Sequence, residues 1–384
     1  MTVTSPLVVL VAGEPSGDAL GAPLMRALRT EAGGDVRFAG VGGERMASEG
    51  LRSLFPMSDL AVMGLVSVLP HVPRILRRLR ETAAHVLALR PAAVVTIDSP
   101  GFNLRLARRL RGRGIPLVHY VAPTVWAWKP GRARTIARFL DRLLVLFPFE
   151  PPYFERHGLA CDFVGHPAVE AAAGDAEAFR RRHAIPAAVP LLCAMPGSRR
   201  DELDRLLPIY GETVSRLRAR VPELRVVVPA VTWLEPAIQA AIAGWGKTIA
   251  VRGSADKLDA FAAADVGLVK SGTGALEAAV AGLPCVVTQR FGPVSAWMAR
   301  RLLRVRHVSL VNILLQREVQ PERLQEDCNP TALSAALTDL LADPDARQRQ
   351  RDLGRRAAEM VGLGGPPPSR RAAHAILRLT HPQR

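Results

Sequence analysis

Short apolar runs alternate with amphipathic, arginine-faced segments along most of the chain. The runs at 7–12, 35–39, 93–97, 116–121, 142–147, 161–164, 190–195, 224–229, 248–251, 266–269 and 284–288 read as strands. Helix-length segments lie between most of them, at 18–30, 71–89, 103–112, 131–140, 202–220, 256–264 and 274–281. Strands apolar on both faces and alternating with helices belong to parallel sheets covered on both sides. The alternation restarts after about residue 165. Gly165-His166-Pro167 closes one series, a polar helix bearing Arg180-Arg181-Arg182 follows, and Pro190–Met195 opens another. The pattern predicts an α/β protein of two doubly wound, Rossmann-like domains facing each other across a cleft. The first takes residues 1–165 and the second 166–343. A tail, 344–384, holds a charged helix, a Gly362–Pro368 stretch and a last short helix. It can pack back on the first domain or reach a partner subunit, so a homodimer is one arrangement it allows.

Length agrees, since 384 residues suit two domains of roughly 150–200 residues each. With 48% apolar residues and no long biased tract, disordered and fibrous classes are excluded. Lys plus Arg number 51 against 35 Asp plus Glu, a surplus of +16, and only positions 129, 247, 257 and 270 are Lys. Such a surplus points to an anionic partner: nucleic acid, a membrane surface or a phosphorylated substrate. Nucleic acid is disfavoured, because there is no helix-turn-helix, zinc-finger or RNP-type sequence and aromatics make up only 5%. Cys161, Cys193, Cys285 and Cys328 lie far apart with no CxxC pair, and read as reduced packing residues of a cytosolic protein. Leu7–Ala12 has no basic residue before it and no small-residue cleavage site after it, so it reads as a buried strand rather than a signal peptide. No stretch approaches the ~18 apolar residues that span a bilayer.

Candidate chemistry gathers where strands turn into helices. Gly13-Glu-Pro-Ser-Gly-Asp18 follows the first strand; its glycines permit a tight turn and close approach of a ligand, and Ser16 is placed to cap the helix. A plain capped turn would use the same residues. The segment is not GxGxxG, so a dinucleotide fingerprint, and an NAD-dependent oxidoreductase with it, is not indicated. Asp98 ends the run Ala93–Ile97, and open parallel sheets bind ligands beyond the carboxyl ends of their strands. A partly buried carboxylate there either acts as general base on a sugar hydroxyl or caps the helix starting near Asn103. Trp126 and Trp128 either stack on a sugar or pack into the core, and a lone His119 is more naturally structural than catalytic. In the second unit, Pro196-Gly-Ser-Arg-Arg200 offers a pyrophosphate clamp, with Arg199 the preferred member. Lys270-Ser271-Gly272-Thr273 opens a helix whose free N–H groups can hold a diphosphate. Glu277, one turn in, can accept hydrogen bonds from both ribose hydroxyls or stand as an exposed helix acid. No carboxylates or histidines cluster at metal spacing. A nucleotide-sugar transferase built here neutralises its leaving group with arginine and a helix dipole, without metal or cofactor.

Taken in chain order, these segments resemble the lipid-A-disaccharide synthase family, glycosyltransferases of the GT-B architecture (family 19). The matching set is Ala12–Asp18, Gly40-Val-Gly-Gly43, Met63-Gly-Leu65, Ile97–Asn103, His119-Tyr120, Val125-Trp-Ala-Trp128, Phe147-Pro-Phe-Glu150, Phe163-Val-Gly-His166, Pro196–Arg200, Ser271–Thr273 with Glu277, Val308–Asn312 and Leu324–Asp327. The resemblance spans roughly residues 7 to 330. It implies metal-independent, inverting transfer of 2,3-diacylglucosamine from UDP-2,3-diacylglucosamine to the 6-hydroxyl of 2,3-diacylglucosamine 1-phosphate. The products are the β-1′,6 disaccharide precursor of lipid A and UDP. It implies that the second domain holds UDP through Arg199, Ser271, Gly272, Thr273, Glu277 and Asn312. The first then holds the acylated acceptor, with Asp98 the leading base, Glu14 and Asp18 near the reacting sugars, and Ser16, Gly17, Asn103, His119 and Trp126 as substrate contacts. This sequence departs from the family pattern at Pro15, at Thr124 before Val-Trp-Ala-Trp, and at Thr288-Gln289-Arg290, where an aromatic is commoner. Another GT-B enzyme, such as a UDP-GlcNAc 2-epimerase or a different UDP-GlcNAc transferase, shares the helix-start and ribose-glutamate logic.

Residues 61–80 set those alternatives apart. Apolar Met63, Leu65, Val66, Val68, Leu69, Val72, Ile75 and Leu76 lead into Arg74, Arg77, Arg78 and Arg80. Apolar insertion beside a basic face is the interfacial pattern for anionic lipid, although a core-packed helix with a solvated arginine face would look similar. The expected membrane contacts are Val66, Val68, Leu69, Leu76 and Arg77, at the cytoplasmic face of the inner membrane. Charge agrees: the stretch 74–113 holds ten Arg against Glu81 and Asp98, the whole excess of residues 1–165.

Overall fold

A computed structural model of the chain describes residues 5–34, 36–60, 71–293, 296–297, 301 and 305–380. The chain divides into two compact units. One comprises the residues up to Pro167 together with those from Gly364 onward, and the other Ala168–Leu363.

The first unit runs β1 (Leu7–Ala12), α1 (Pro15–Glu31), β2 (Arg37–Val41), α2 (Glu44–Ser48), α3 (Val72–Leu89), β3 (Ala93–Ile97), α4 (Pro100–Leu110), β4 (Leu117–Tyr120), α5 (Arg132–Ile136), β5 (Arg142–Val145), α6 (Pro151–Glu155) and β6 (Ala160–Phe163). Its six described strands are parallel, in the order β2-β1-β3-β4-β5-β6. Val8–Ala12 and Val94, Val95 and Ile97 are fully buried, each large side chain contributing roughly 1.5–3 kcal/mol relative to exposure. Register aligns the carboxyl ends, with Ala12 opposite Ile97 and Ile97 opposite Tyr120. β2 and β3 flank β1 on opposite sides, so the sheet reverses direction between β1 and β3. That switch point is where an open parallel sheet leaves a crevice for a ligand.

The second unit runs α7 (Ala176–Arg182), β7 (Leu191–Met195), α8 (Arg200–Arg218), β8 (Arg225–Ala230), α9 (Glu235–Ile242), β9 (Thr248–Arg252), α10 (Gly253–Ala263), β10 (Val266–Lys270), α11 (Thr273–Val280), β11 (Cys285–Gln289), α12 (Leu310–Leu315), β12 (Glu322–Leu324), α13 (Pro330–Ala342) and α14 (Pro344–Met360). Its parallel order, β12-β11-β10-β7-β8-β9, places the reversal between β7 and β10. The expected single tail divides: α14 stays with the second unit, while α15 (Pro368–Thr380) joins the first. α15 buries Ala372, Ala373, Ala375 and Ile376, and ties itself to α1 and β6 by charge. Arg370 and His374 pair with Glu31, the latter at 2.7 Å, Arg371 donates to the Phe163 carbonyl at 2.6 Å, and Arg378 donates to Asp162 at 2.8 Å.

Candidate active site

At the first switch point the loops after β1 and β3 interlock. Gly13 lies so close to the second loop that a Cβ there would sit 2.6 Å from Ser99 Oγ. Gly17 packs inside α1 against the Ile97 carbonyl, which a Cβ would meet at 3.0 Å; it serves close helix–strand approach. Pro15 occupies the first position of α1, where its missing N–H and fixed φ suit a helix start. Ser16, expected to cap the helix, lies within it and instead donates to Asp98 Oδ2 at 2.6 Å. Asp98 and Ser99 both take left-handed backbone, φ +52° and +42°, a conformation costly for non-glycine residues and concentrated at functional sites. Two donors hold it there. The Asp98 amide donates to the Tyr120 carbonyl at 2.9 Å. Asn103 Nδ2 donates to the carbonyls of Val11, Ile97 and Asp98 at 3.2, 2.9 and 2.8 Å. Asp98 therefore does not cap α4, whose cap position is Ser99. Its carboxylate is half-buried, with Ser16 as its side-chain partner.

Other predicted members of this half have structural posts. Asn103 is fully buried and fastens the strand ends together. Asp18 is 5% exposed, and its two oxygens accept from the amides of Gly43, Arg45 and Met46 at 2.8, 3.0 and 3.0 Å, anchoring the start of α2. His119 is fully buried on β4; its Nδ1 lies 2.8 Å from Thr96 Oγ1, which itself donates to the Val118 carbonyl. That leaves Nδ1–H as the donor and Nε2 as a bare acceptor. Burial, and then the charge of Arg132, depress its pKa to about 3, so the ring is neutral. Glu14 is half-buried beside the switch point and has interactions of its own. Trp126 is half-buried in the loop after β4, edge-on to Phe149 at 5.2 Å between ring centroids.

At the second switch point the centre is Glu202, in the first turn of α8. Its carboxylate accepts from the Ser198 amide at 3.0 Å and pairs with Lys270 Nζ at 2.8 Å, while Arg199 stands 3.9 Å away with its guanidinium largely in solvent. Lys270 closes β10, and Gly272 turns the chain into α11 at φ +140°, a backbone region that side chains avoid. Ser271 is held by its amide to the Thr288 carbonyl at 2.7 Å and by its hydroxyl to the Val308 carbonyl at 3.1 Å. Thr273 is the first residue of α11, and Glu277 one turn later pairs with Lys257 at 2.9 Å. Asn312, expected to touch the nucleotide, is fully buried. Its amide nitrogen donates to the Gln320 carbonyl and Glu322, both at 2.8 Å, and its oxygen accepts from the Val319 and Gln320 amides. The residue organises the segment behind α11. The sequence motif contained Lys270 but assigned it no role; its ion pair with Glu202 joins positions far apart in the chain.

On α3, Leu79, Ala83 and Val86 face the core, whereas Leu76 is 41% exposed and Arg77 lies in solvent. Val66, Val68 and Leu69 lie outside the described residues. Among the described residues no helix is long and apolar enough to cross a membrane, and no three His, Cys, Asp or Glu side chains converge to hold a metal ion. The chain's one Asp-x-Asp string, Asp343–Asp345, is a helix cap: Asp343 accepts from the Ala346 amide at 2.8 Å.

Comparison with solved structures places this fold among enzymes of UDP-sugars. The UDP-GlcNAc 2-epimerase from Neisseria meningitidis, solved with UDP-GlcNAc, aligns with 98% of this chain and 100% of its own, at TM-score 0.64 and 12% identity. The UDP-GlcNAc 2-epimerase from Methanocaldococcus jannaschii aligns with 98% and 99%, at TM-score 0.57 and 14% identity. The likeness extends to fold alone, two Rossmann-like units of the GT-B architecture. Sequence is more specific. A model of the lipid-A-disaccharide synthetase family matches residues 8–365. Lipid-A-disaccharide synthases from Rhodospirillum centenum and Paramagnetospirillum magneticum are 54% and 51% identical over 378 residues, covering 97% of this chain and 94% and 97% of theirs. The chain belongs to the lipid-A-disaccharide synthase family, glycosyltransferases of lipid A biosynthesis.

Proposed function

We propose that the chain transfers 2,3-diacylglucosamine from UDP-2,3-diacylglucosamine to the 6-hydroxyl of 2,3-diacylglucosamine 1-phosphate by a single inverting displacement. The observation that carries this reading is the Asp98 turn, where a carboxylate on left-handed backbone is held at a switch point by one hydroxyl. Asp98 accepts the proton of the acceptor hydroxyl as its oxygen attacks the anomeric carbon; the bond from that carbon to the UDP β-phosphate oxygen breaks. Attack opposite the departing UDP inverts the centre, giving the β-1′,6 disaccharide 1-phosphate. Charge growing on the β-phosphate is met by Arg199, by Lys270 and by the start of α11 at Ser271–Thr273. Glu277, steadied by Lys257, faces the ribose. In the first unit, Glu14 lies near the reacting sugars and Ser16 orients the base.

Both lipids must be drawn from a bilayer, and no described helix crosses one. The supporting feature is the exposed side of α3, where Leu76 and Arg77 present an apolar and a cationic group together. The enzyme on this reading docks on the anionic cytoplasmic surface of the inner membrane. One assay tests the whole: UDP release from the diacylated pair against release from unacylated UDP-GlcNAc. Turnover confined to the acylated pair is expected, and UDP release from UDP-GlcNAc with none from the acylated pair would overturn the reading.

A further inference from the structure

Beneath Trp126 lies a buried acid to which the mechanism above gives no task. Glu150 is 2% exposed in the loop after β5. Its Oε1 accepts from Trp126 Nε1 at 3.2 Å, and its Oε2 accepts from the amides of Leu146 and Phe147, each at 3.0 Å. The carboxylate thus bridges two loops that leave adjacent strands. Above it Phe149 meets Trp126 edge-on at 5.2 Å and stacks on Phe147 at 5.4 Å, and Phe147 in turn packs on His166 at 5.6 Å. Because the sheet is parallel, these loops emerge on the same edge as Asp98, whose own amide is bonded to the end of β4. Trp126 and Phe149 are half-buried there.

We infer that Glu150 is a positioning residue of the acceptor half-site, fixing the Trp126 indole so that Trp126 and Phe149 form a rigid apolar wall for the acceptor lipid. This rests on the proposed function, in which the first unit holds that lipid. Physical chemistry supports it in two ways. A carboxylate costs the fold a good deal when buried, and it is retained here with three donors aimed at it. Burial raises its pKa to about 7, the three hydrogen bonds opposing that rise. Two neighbours are shifted away from this range. Cys161 of β6 has its thiol pushed up to about 12 by burial and the nearby acids Glu155, Asp162 and Glu150, and buried His166 is held down to about 4. Asp162 is neutralised by Arg142 and Arg378 at 2.9 and 2.8 Å. Protonation of Glu150 weakens the grip on the indole and on the backbone at 146–147.

The test compares pH profiles of the acceptor KM in the wild type, Glu150→Gln and Trp126→Phe. The acceptor phosphate titrates near 6 in every case, so the readout is the difference between profiles. Glu150→Gln is expected to raise the acceptor KM about tenfold at pH 8, the scale of a lost charge-assisted hydrogen bond, with kcat and the donor KM within twofold. Both variants are expected to lose the wild-type rise in acceptor KM on acidification through pH 7, and the double variant to do no worse than either single one. An unchanged profile in Trp126→Phe, or additive effects in the double variant, would overturn the inference even if Glu150→Gln did not fold. A third measurement needs no turnover. The Trp126 contribution to fluorescence, taken as wild type minus Trp126→Phe, is expected to shift with pH near 7, and no shift would also overturn it. If that shift appears while the diacylated pair releases no UDP, the proposed function fails and the Glu150–Trp126 coupling survives.

Discussion

The two switch points share a frame and oppose each other in charge. In the first, β1 and β3 deliver a carboxylate: Asp98 stands on strained backbone, held by Ser16 and, through its main chain, by Asn103. In the second, β7 and β10 deliver cations, with Glu202 gathering Lys270 at 2.8 Å and leaving Arg199 largely in solvent. The fold supplies the crevice in both units, and a few side chains at its lip give it its charge: on the proposed function, one removes a proton and the other receives a phosphate. Polar residues lie one layer deeper. Asn103 holds the lip in place in the first unit; in the second, Asn312 instead orders residues 319–322, and both are fully buried.

Breaking each half separately is the sharpest test of that contrast. Asp98→Asn keeps the shape and the Ser16 contact while removing the base, and turnover is expected to fall by ~10²–10⁴ with UDP affinity unchanged. Steady-state kinetics with UDP binding by calorimetry checks this, and near-wild-type turnover would remove Asp98 from the role. Arg199→Ala and Lys270→Ala are expected to act on the other half. Each should weaken UDP binding by about 10–100-fold, the scale of one hydrogen bond to a charged group, and leave the acceptor KM alone. A loss confined to acceptor binding would show that the two halves are wrongly assigned.

Strands were the most legible elements. The apolar runs 7–12 and 93–97 coincide with β1 and β3, because strands covered on both faces leave no polar positions to blur their ends. β12 was invisible to the same reasoning: Glu322–Leu324 is a three-residue edge strand with no apolar run. Site residues were legible by place and less so by task. Asp18, Asn103, His119 and Asn312 sit in motifs that look chemical, yet each is buried and bonded within its unit. What separates Asp18 from Asp98 is the partner across space, three amides around the start of α2 in one case and one hydroxyl in the other. Glu150 and Glu202 were overlooked for the same reason, since one partner of each, Trp126 and Lys270, comes from far along the chain.

Acid should also tell the units apart. His119 and His166 are neutral in the folded first unit, with values of about 3 and 4 against an ordinary 6.5, so each loses the fold about tenfold in stability per pH unit below 6.5. Glu150 works the other way: protonated in the fold below about 7 but only below 4.5 when unfolded, it returns about tenfold per unit across that window. Two losses against one gain leave a net loss of roughly 2–3 kcal/mol by pH 4.5. In the second unit Cys193, Cys285, Cys328 and Tyr210 are pushed upward by burial, away from this range. Its shifted acids Glu223, Asp259 and Asp343 are lowered by their partners, so their stabilisation is lost only in stronger acid. Hydrogen exchange at pH 5 against pH 7, corrected for intrinsic rates, is expected to show first-sheet amides losing protection while second-sheet amides keep theirs. Equal loss in both would reject this placement of the sensitive groups.

The smallest expected effect concerns which unit touches lipid. Leu76 and Arg77 project from α3 of the first unit, but the second unit also exposes an aromatic–cation pair, Trp297 at 54% with Arg301 4.4 Å over its ring. Both patches have the composition of an interfacial contact. Leu76 adjoins the apolar stretch 61–69 in sequence, and Arg77 belongs to the stretch that carries the first unit's whole positive excess, so the first patch is expected to dominate. An interfacial cation contributes about 1 kcal/mol and a leucine a similar amount. Leu76→Ser and Arg77→Gln should therefore each lower co-sedimentation with anionic vesicles about fivefold, and more in the pair, without altering UDP binding. Trp297→Ser is expected to change it less than twofold. The reverse ranking would move the membrane contact to the second unit and would leave the arginines of 74–113 without the lipid surface proposed for them.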